Sequence, residues 1–295
     1  MRIRVVVQNL CRGGLRDGDG NPQDRWPALA ARIRAAQPDV LLLNEANEWD
    51  LHGHRQLGRA MADLDLDVAP LPPSKSGCRS AILYRTATLG RWTHTSFDLA
   101  QETTHGFVVT AFTVPGLPAP LTFAAGHLDP YSGDRAIYEA KLLATRAYRY
   151  GPFAVVGGDM NYPPEAGPDP DYSRMRPYNL AARTLLHDPA DTDADIQPDR
   201  RSAWMLRKAG YHDVAWHLSQ RLGDETLLRR TASDDRIDRI HVTGPLADAV
   251  SNYQVLEEPA DASDHHGIAA DLDTDVIDHT NLWTYRTGSP CRRRT

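Results

Sequence analysis

Cysteine and lysine are both scarce in this 295-residue chain, and each scarcity excludes something. Cysteine occurs three times, at Cys11, Cys78 and Cys291, with no CxxC or Cys/His spacing. An odd, scattered set argues against a disulfide framework and against a structural zinc site. Lysine is found only at Lys75, Lys141 and Lys208, although basic residues number 33. The formal net charge is −6, so nothing in the overall balance draws the chain to nucleic acid or to anionic lipid. No apolar run approaches the roughly 18–20 residues of a membrane helix. The opening MRIRVVVQN lacks the apolar core of about 7–15 residues that a secretory signal needs. A cytoplasmic protein with no membrane partner is therefore expected. What is present is ordinary for a globular chain: 41% hydrophobic and 24% charged residues, with 21 glycines and 21 prolines. That length suits one large α/β domain with a sizeable core, or two small ones.

Short β-rich runs alternate with helical stretches, which favours an α/β fold. Strands are expected at Ile3 to Val7, Val40 to Leu43, Ala81 to Tyr84, Phe107 to Thr113 and Leu121 to Ala125. Further strands are expected at Phe153 to Val156, Ile237 to Val242 and Ile268 to Leu272. All-apolar runs such as Val40 to Leu43 are of the kind buried on both faces. Helices are expected over Asp24 to Gln37, with Asp24 as cap and Pro27 in the first turn, over Asp134 to Tyr148 and over Ser202 to Lys208. In the second, Ile137, Lys141, Ala144 and Tyr148 share one side. Trp26 and Trp204 are expected in the core. Residues 162–199 form a long irregular segment rich in Pro and Asp, either a solvated excursion or a functional loop. The chain divides into a body over 1–275 and a peripheral tail over 276–295.

Strand after strand ends in a polar group: Asn9, Glu45, His127, Asp159 with Asn161, Asp238, and Asp264-His265. Taken singly, an Asn or Asp after a strand is usually a turn former, and a lone His is usually structural. As a set they suit the hydrolysis of a phosphate ester. A hard cation such as Mg²⁺ takes oxygen ligands and needs only one or two carboxylates, which Glu45 and Asp264 can supply. An attacking water needs an acceptor. Asp159 and Asn161, two residues apart, fall on the same side of an extended segment. Charge on the phosphoryl oxygens needs donors, and His265 backed by Asp238 is such a donor held in one tautomer. Arg12, Arg79 and Arg135 lie on loops near the same edge, where guanidinium forks suit phosphate.

In order, these positions resemble the motifs of the endonuclease/exonuclease/phosphatase superfamily. Asn9 closes VVVQN, Glu45 closes PDVLLLNE and His127 stands in GHL. Asp159 and Asn161 stand in GGDMN, Asp238 in RIDRIHVT, and Asp264 with His265 in SDHHG, while SAILYR resembles the family's central strand. The resemblance implies a four-layer α-β-β-α sandwich with two mixed sheets face to face. It implies metal-dependent phosphoester hydrolysis with Mg²⁺ (or Mn²⁺), in which Glu45, Asp264 and Asn9 lie at the metal. Asp159 would hold the nucleophilic water with Asn161, and His265, Asp238 and His127 would meet the phosphate. Cys78 falls where related nucleases place a Glu that supports the histidine equivalent to His127.

The resemblance leaves the leaving group open. A nuclease or nucleotide phosphodiesterase is one reading, and a phosphatase of a small phosphorylated molecule is the other. Few lysines and an acidic 162–199 segment give no basic stripe for an extended duplex. A lipid phosphodiesterase lacks an amphipathic basic helix to support it. A non-catalytic binding module is disfavoured because every motif is complete. Oligomeric state is not legible.

Overall fold

The computed structural model describes residues 1–185, 195–257, 262–279 and 282. Its first strand, β1 (Arg2–Asn9), shows how the layers arise. Val5 and Val7 enter a core between two sheets, while Val6 faces an outer cluster containing Trp26, Leu29 and Ile33. The next strand, β2 (Val40–Asn44), repeats this: Val40 and Leu42 point inward, Leu41 and Leu43 outward. A strand buried on both faces must be apolar at both parities, as these sequences are.

The remaining strands are β3 (Asp67–Val68), β4 (Ala81–Tyr84), β5 (His94–Ser96), β6 (Phe107–Phe112), β7 (Leu121–Gly126) and β8 (Phe153–Asp159). They are followed by β9 (Tyr211–Asp213), β10 (Asp238–Thr243), β11 (Val250–Val255) and β12 (Ile268–Asp273). One sheet runs β11-β12-β1-β2-β4-β3 and the other β5-β6-β7-β8-β10-β9. Both are mixed, with one parallel pair each, β1 with β2 and β7 with β8.

The helices are α1 (Trp26–Ala36), α2 (Arg55–Leu64), α3 (Thr86–Leu89), α4 (Gly133–Ala147), α5 (Pro177–Arg183), α6 (Arg201–Lys208) and α7 (Val214–Leu222). Leu29 and Ile33 of α1 and Leu57 of α2 cover the outer face of the first sheet. Ala140, Leu143 and Ala147 of α4 cover the outer face of the second. The expected four-layer α-β-β-α sandwich is therefore present.

Gly158 allows the two sheets to meet. Its φ is +149°, and a Cβ there would stand 1.8 Å from the Gly126 carbonyl oxygen and 2.9 Å from Asn44 Oδ1. Asn44 uses that space to bridge the layers. Its Nδ2 donates to the Gly126 carbonyl at 2.9 Å and its Oδ1 accepts from Asp159 N at 2.7 Å.

Several details differ from the sequence expectation. Asp24 does not cap α1 but pairs with Arg59, and the helix begins with Trp26 and Pro27. The buried face of α4 is an alanine face, one residue out of step with Ile137, Lys141 and Tyr148. Ser132 caps that helix by accepting from Arg135 N. Trp26 is in the core as expected, whereas Trp204 is 51% exposed. The 162–199 segment holds α5, and a bridge between Thr184 and Pro198 closes its base. Its residues Asp188, Asp191 and Asp193 lie outside the described residues. In the tail, Ile277 is buried and Leu282 packs on the inter-sheet core, while Trp283, Tyr285 and Cys291 lie outside the described residues. Among the described residues, no helix is long and apolar enough to cross a membrane.

Candidate active site

The inward rows of four strands run out at one end of the sandwich, and each ends in a polar residue. Val5 and Val7 lead to Asn9, Phe123 and Ala125 to His127, and Val155 to Asp159. Strand β10 runs antiparallel to β8, so its first residue, Asp238, lies directly opposite Asp159. Period-two geometry thus delivers side chains far apart in sequence to one place. Glu45 joins them just past β2, at a φ of +55°.

Asp159 is the hub. Its Oδ2 accepts from Asn9 Nδ2 at 3.1 Å and lies 3.5 Å from His127 Nε2 and 3.7 Å from His265 Nε2. Its Oδ1 accepts from Asn161 N at 2.9 Å. Asn161, itself at a φ of +57°, donates to the Leu128 carbonyl at 2.8 Å and accepts from Arg183 Nη2 at 3.3 Å. Asn9 donates to Glu45 Oε1 at 3.3 Å as well, so a single amide spaces the two carboxylates. Glu45 Oε2 accepts from Arg12 N at 2.8 Å.

Two buried carboxylates side by side repel unless a cation intervenes. His265 intervenes, its Nδ1 2.8 Å from Asp238 Oδ2. Burial would push its pKa down, but Asp238 and Asp159 outweigh burial and raise it well above the usual histidine range. Burial would raise Asp159, yet the neighbouring His265 holds it below the usual carboxylate range. Asp238 shifts upward, with burial the main cause. His127 is pushed down by burial and stays neutral near pH 7.

A metal could be held in two places. Asp159, Asp238 and His265 each offer a ligand atom within 4.8 Å of the others. In that group His265 Nδ1 is already committed to Asp238. Glu45 and Asp264 line the same cleft, Glu45 half-buried and Asp264 exposed. Hard carboxylate oxygens lining a cleft fit Mg²⁺, which keeps part of its water shell.

The model of the Endonuclease/Exonuclease/phosphatase family matches residues 11–265. The chain belongs to this family. Solved structures agree in fold. The endonuclease domain of TRAS1, a telomere-specific non-LTR retrotransposon, is 15% identical with a TM-score of 0.55, covering 92% of this chain and 98% of that one. D. rerio TDP2 complexed with a single-strand DNA product is 14% identical with a TM-score of 0.57, covering 92% and 99%. The human Nocturnin catalytic domain with a bound sulfate anion is 15% identical with a TM-score of 0.56, covering 92% and 93%. No curated protein matches the chain in sequence.

In this family member the cleft has a volume of about 560 Å³, and Glu45, His127, Asp159, Asn161, Asp264 and His265 line it. Asn9 and Asp238 sit behind, through the bonds above. The three expected arginines do not converge on it. Arg12 and Arg79 line an adjacent cleft of about 410 Å³, where Arg79 pairs with Asp50. Arg135 lies beside Asp129 and Glu139 at 3.3 and 3.6 Å and does not line this cleft. Asp129 is a turn former whose Oδ1 accepts from Tyr131 N and Ser132 N.

Two residues at the centre escaped the sequence reading. The His105 ring stacks on His127, with centroids 4.0 Å apart and planes 19° apart. Ser76 Oγ holds His105 Nδ1 at 2.7 Å. Burial, with His127 adding to it, pushes His105 down to about 3. Cys78 lines the cleft, and His127 receives this neutral imidazole as its ring neighbour. Arg183 is the second. It arrives from α5 and ties Asn161 to Asp234, the latter at 3.3 Å.

Proposed function

We propose that this phosphoesterase hydrolyses a phosphodiester by in-line attack of water, as a nuclease or nucleotide phosphodiesterase, with Mg²⁺ or Mn²⁺ held by Glu45 and Asp264. The observation that carries the reading is the convergence of the His127 and His265 imidazoles on Asp159, in a cleft that Glu45 and Asp264 also line. Asp159 orients the water and takes its proton as the new P–O bond forms and the leaving P–O bond breaks. His265, kept cationic by Asp238, donates to a phosphoryl oxygen, and His127 donates as a neutral imidazole. The metal, when bound, neutralises charge on the phosphoryl oxygens and favours departure of the leaving oxygen. Asn9 keeps Glu45 and Asp159 at their spacing. The TDP2 and TRAS1 structures support the substrate class, since the first holds a DNA product and the second is an endonuclease. A small phosphorylated molecule is the second reading, because α5 adds a wall to one side of the cleft.

A panel of single-stranded and supercoiled DNA, RNA, mononucleotides and sugar phosphates, each with Mg²⁺, Mn²⁺ or EDTA, tests the proposal. Turnover of polynucleotides or nucleotide diesters that EDTA abolishes is the expected result. Phosphate release from sugar phosphates alone would establish the second reading instead. Glu45→Gln is expected to raise the Mg²⁺ concentration for half-maximal activity by about 10- to 100-fold. An unchanged Mg²⁺ titration would remove Glu45 from the metal.

Asp238→Asn takes away the nearer of the two carboxylates that keep His265 protonated. The alkaline limb of the kcat/KM profile marks loss of that proton. It should move to lower pH in the variant, with about a 100-fold fall in kcat/KM at pH 8. A limb that stays in place would show that another group sets it.

A further inference from the structure

The cleft carries a feature that phosphate chemistry does not use. Tyr131, from the loop after β7, is 78% exposed, and Tyr178, from the first turn of α5, is 62% exposed. Both line the cleft that holds Glu45, Asp159, His127 and His265. Exposed rings lining a cleft offer flat faces on which a ligand can stack. Their flanks are built for a flat apolar group. Ala181 and Ala182 of α5 and Ala232 line the same cleft. The Arg176 guanidinium stands over the Tyr178 ring at 6.0 Å from its centroid and donates to Tyr178 Oη at 2.6 Å. Arg176 has no carboxylate within 4.0 Å among the described residues, so its charge is available to an incoming anion.

The α5 side of this surface is held in place. Arg183, buried at the other end of α5, donates to Asn161 and Asp234, and Asn179 donates to Asp234 Oδ2 at 3.1 Å. Asn161 in turn touches the Asp159 hub through its backbone N–H. Ring surface and scissile-phosphate position are therefore linked through a short chain of hydrogen bonds. A volume of about 560 Å³ lies within the range of small-ligand pockets, about 300–1,000 Å³. None of the three lysines lines the cleft, so backbone tracking along a duplex has little to draw on.

We propose that Tyr131 and Tyr178, with Arg176, form a base-stacking subsite beside the scissile phosphate, so that the enzyme takes unpaired nucleotides. This rests on the phosphodiesterase reading and specifies the substrate within it. A base in a duplex is already stacked on its neighbours, whereas an unpaired base has a face free for a tyrosine ring.

The test compares a single-stranded trinucleotide with the same molecule carrying a tetrahydrofuran abasic unit beside the cleaved bond. The readout is the ratio of their kcat/KM values. Stacking on one ring is worth about 1–3 kcal/mol, so Tyr178→Leu and Tyr131→Leu should each lower that ratio about 5- to 150-fold, through KM. Tyr178→Phe keeps the ring and should retain most of the preference. An unchanged ratio in both leucine variants, or equal cleavage of a hairpin duplex and a single strand by the native enzyme, would overturn the subsite.

A binding measurement keeps the subsite separate from the chemistry. A trinucleotide containing 2-aminopurine, mixed with the Asp159→Asn protein, should lose fluorescence on stacking, and Tyr178→Leu added to that background should restore it. No quenching would overturn the subsite even if turnover is found. Quenching without turnover of any diester by the native enzyme would instead overturn the phosphodiesterase reading and leave the subsite standing.

Discussion

Asp159→Asn is expected to lower kcat by about a thousand-fold or more, at the upper end of what a positioned proton acceptor contributes. The substitution keeps size and shape, and Asn44 still receives the backbone N–H of residue 159. The hydrogen bond from Asn161 N can also survive, now to the amide oxygen. What is lost is the charge and the second acceptor. Asn9 Nδ2 would then meet an amide NH₂ where it now meets Oδ2 at 3.1 Å. His265 would lose one of the two carboxylates that keep it cationic. Water acceptor and phosphate donor are therefore impaired together, which is why the expected loss exceeds that for Asp238→Asn. Single-turnover kinetics at saturating Mg²⁺ would measure it, with a thermal melt to verify the fold. A variant that keeps more than a tenth of native kcat would show that another group receives the proton.

Much of this site was legible in the sequence because strands with a buried two-residue period carry their parity to the strand end. Val5, Val7 and Asn9 form one row in the sequence and one row in the sandwich, and the same holds for the rows ending at His127 and Asp159. Central strands were visible for the same reason, since they are apolar on both faces. The edge strands β3, β5 and β9 have only two or three residues each and carry Asp67, His94, His212 and Asp213, so no apolar period announces them. Helix α4 was found but turned, because its core face is alanine and weak in hydrophobic contrast. His105 had no signal at all. It lies in a loop before Gly106, where a Cβ would stand 2.3 Å from the Pro73 carbonyl oxygen, and only that close loop-on-loop approach brings it to His127. Arg183 was hidden in a segment that reads as an acidic excursion, and it reaches Asn161 only once α5 folds against Asp234.

Asp213→Ala is expected to destabilise the protein by about 3–5 kcal/mol, the usual result of removing one partner from a buried ion pair. Arg236 donates to Asp213 through Nη1 at 3.0 Å and Nη2 at 2.8 Å, with both side chains almost fully buried. Arg239 is buried beside them, and none of its side-chain nitrogens has a hydrogen-bond partner among the described residues. Burial pushes Arg239 down to about 10, with Asp213 the leading influence opposing that fall. Without Asp213, the two guanidiniums share one dry space and keep only the lesser influence of Asp235. The carboxylate also caps α7, accepting from Ala215 N and Trp216 N, a contact worth about 1 kcal/mol. Urea unfolding at pH 7 should show a lower midpoint at constant slope. Burial would raise the pKa of Asp213, but Arg236 overrides it and holds the group at about 2, down from 3.8. Its stabilisation is therefore complete above pH 3.8 and is lost as pH falls towards 2, amounting to about 2 kcal/mol by linkage. Native and variant curves should converge over that interval, while parallel curves would show that the pair contributes nothing through charge. Arg236→Met in the same chain should recover part of the loss, because a guanidinium no longer lies unpaired. Arg236 also stands two residues before Asp238, so the pair holds the strand entry that presents Asp238 to His265. Loosening it should cost activity at temperatures well below the melt, and Arg236→Met should restore that activity less completely than it restores stability.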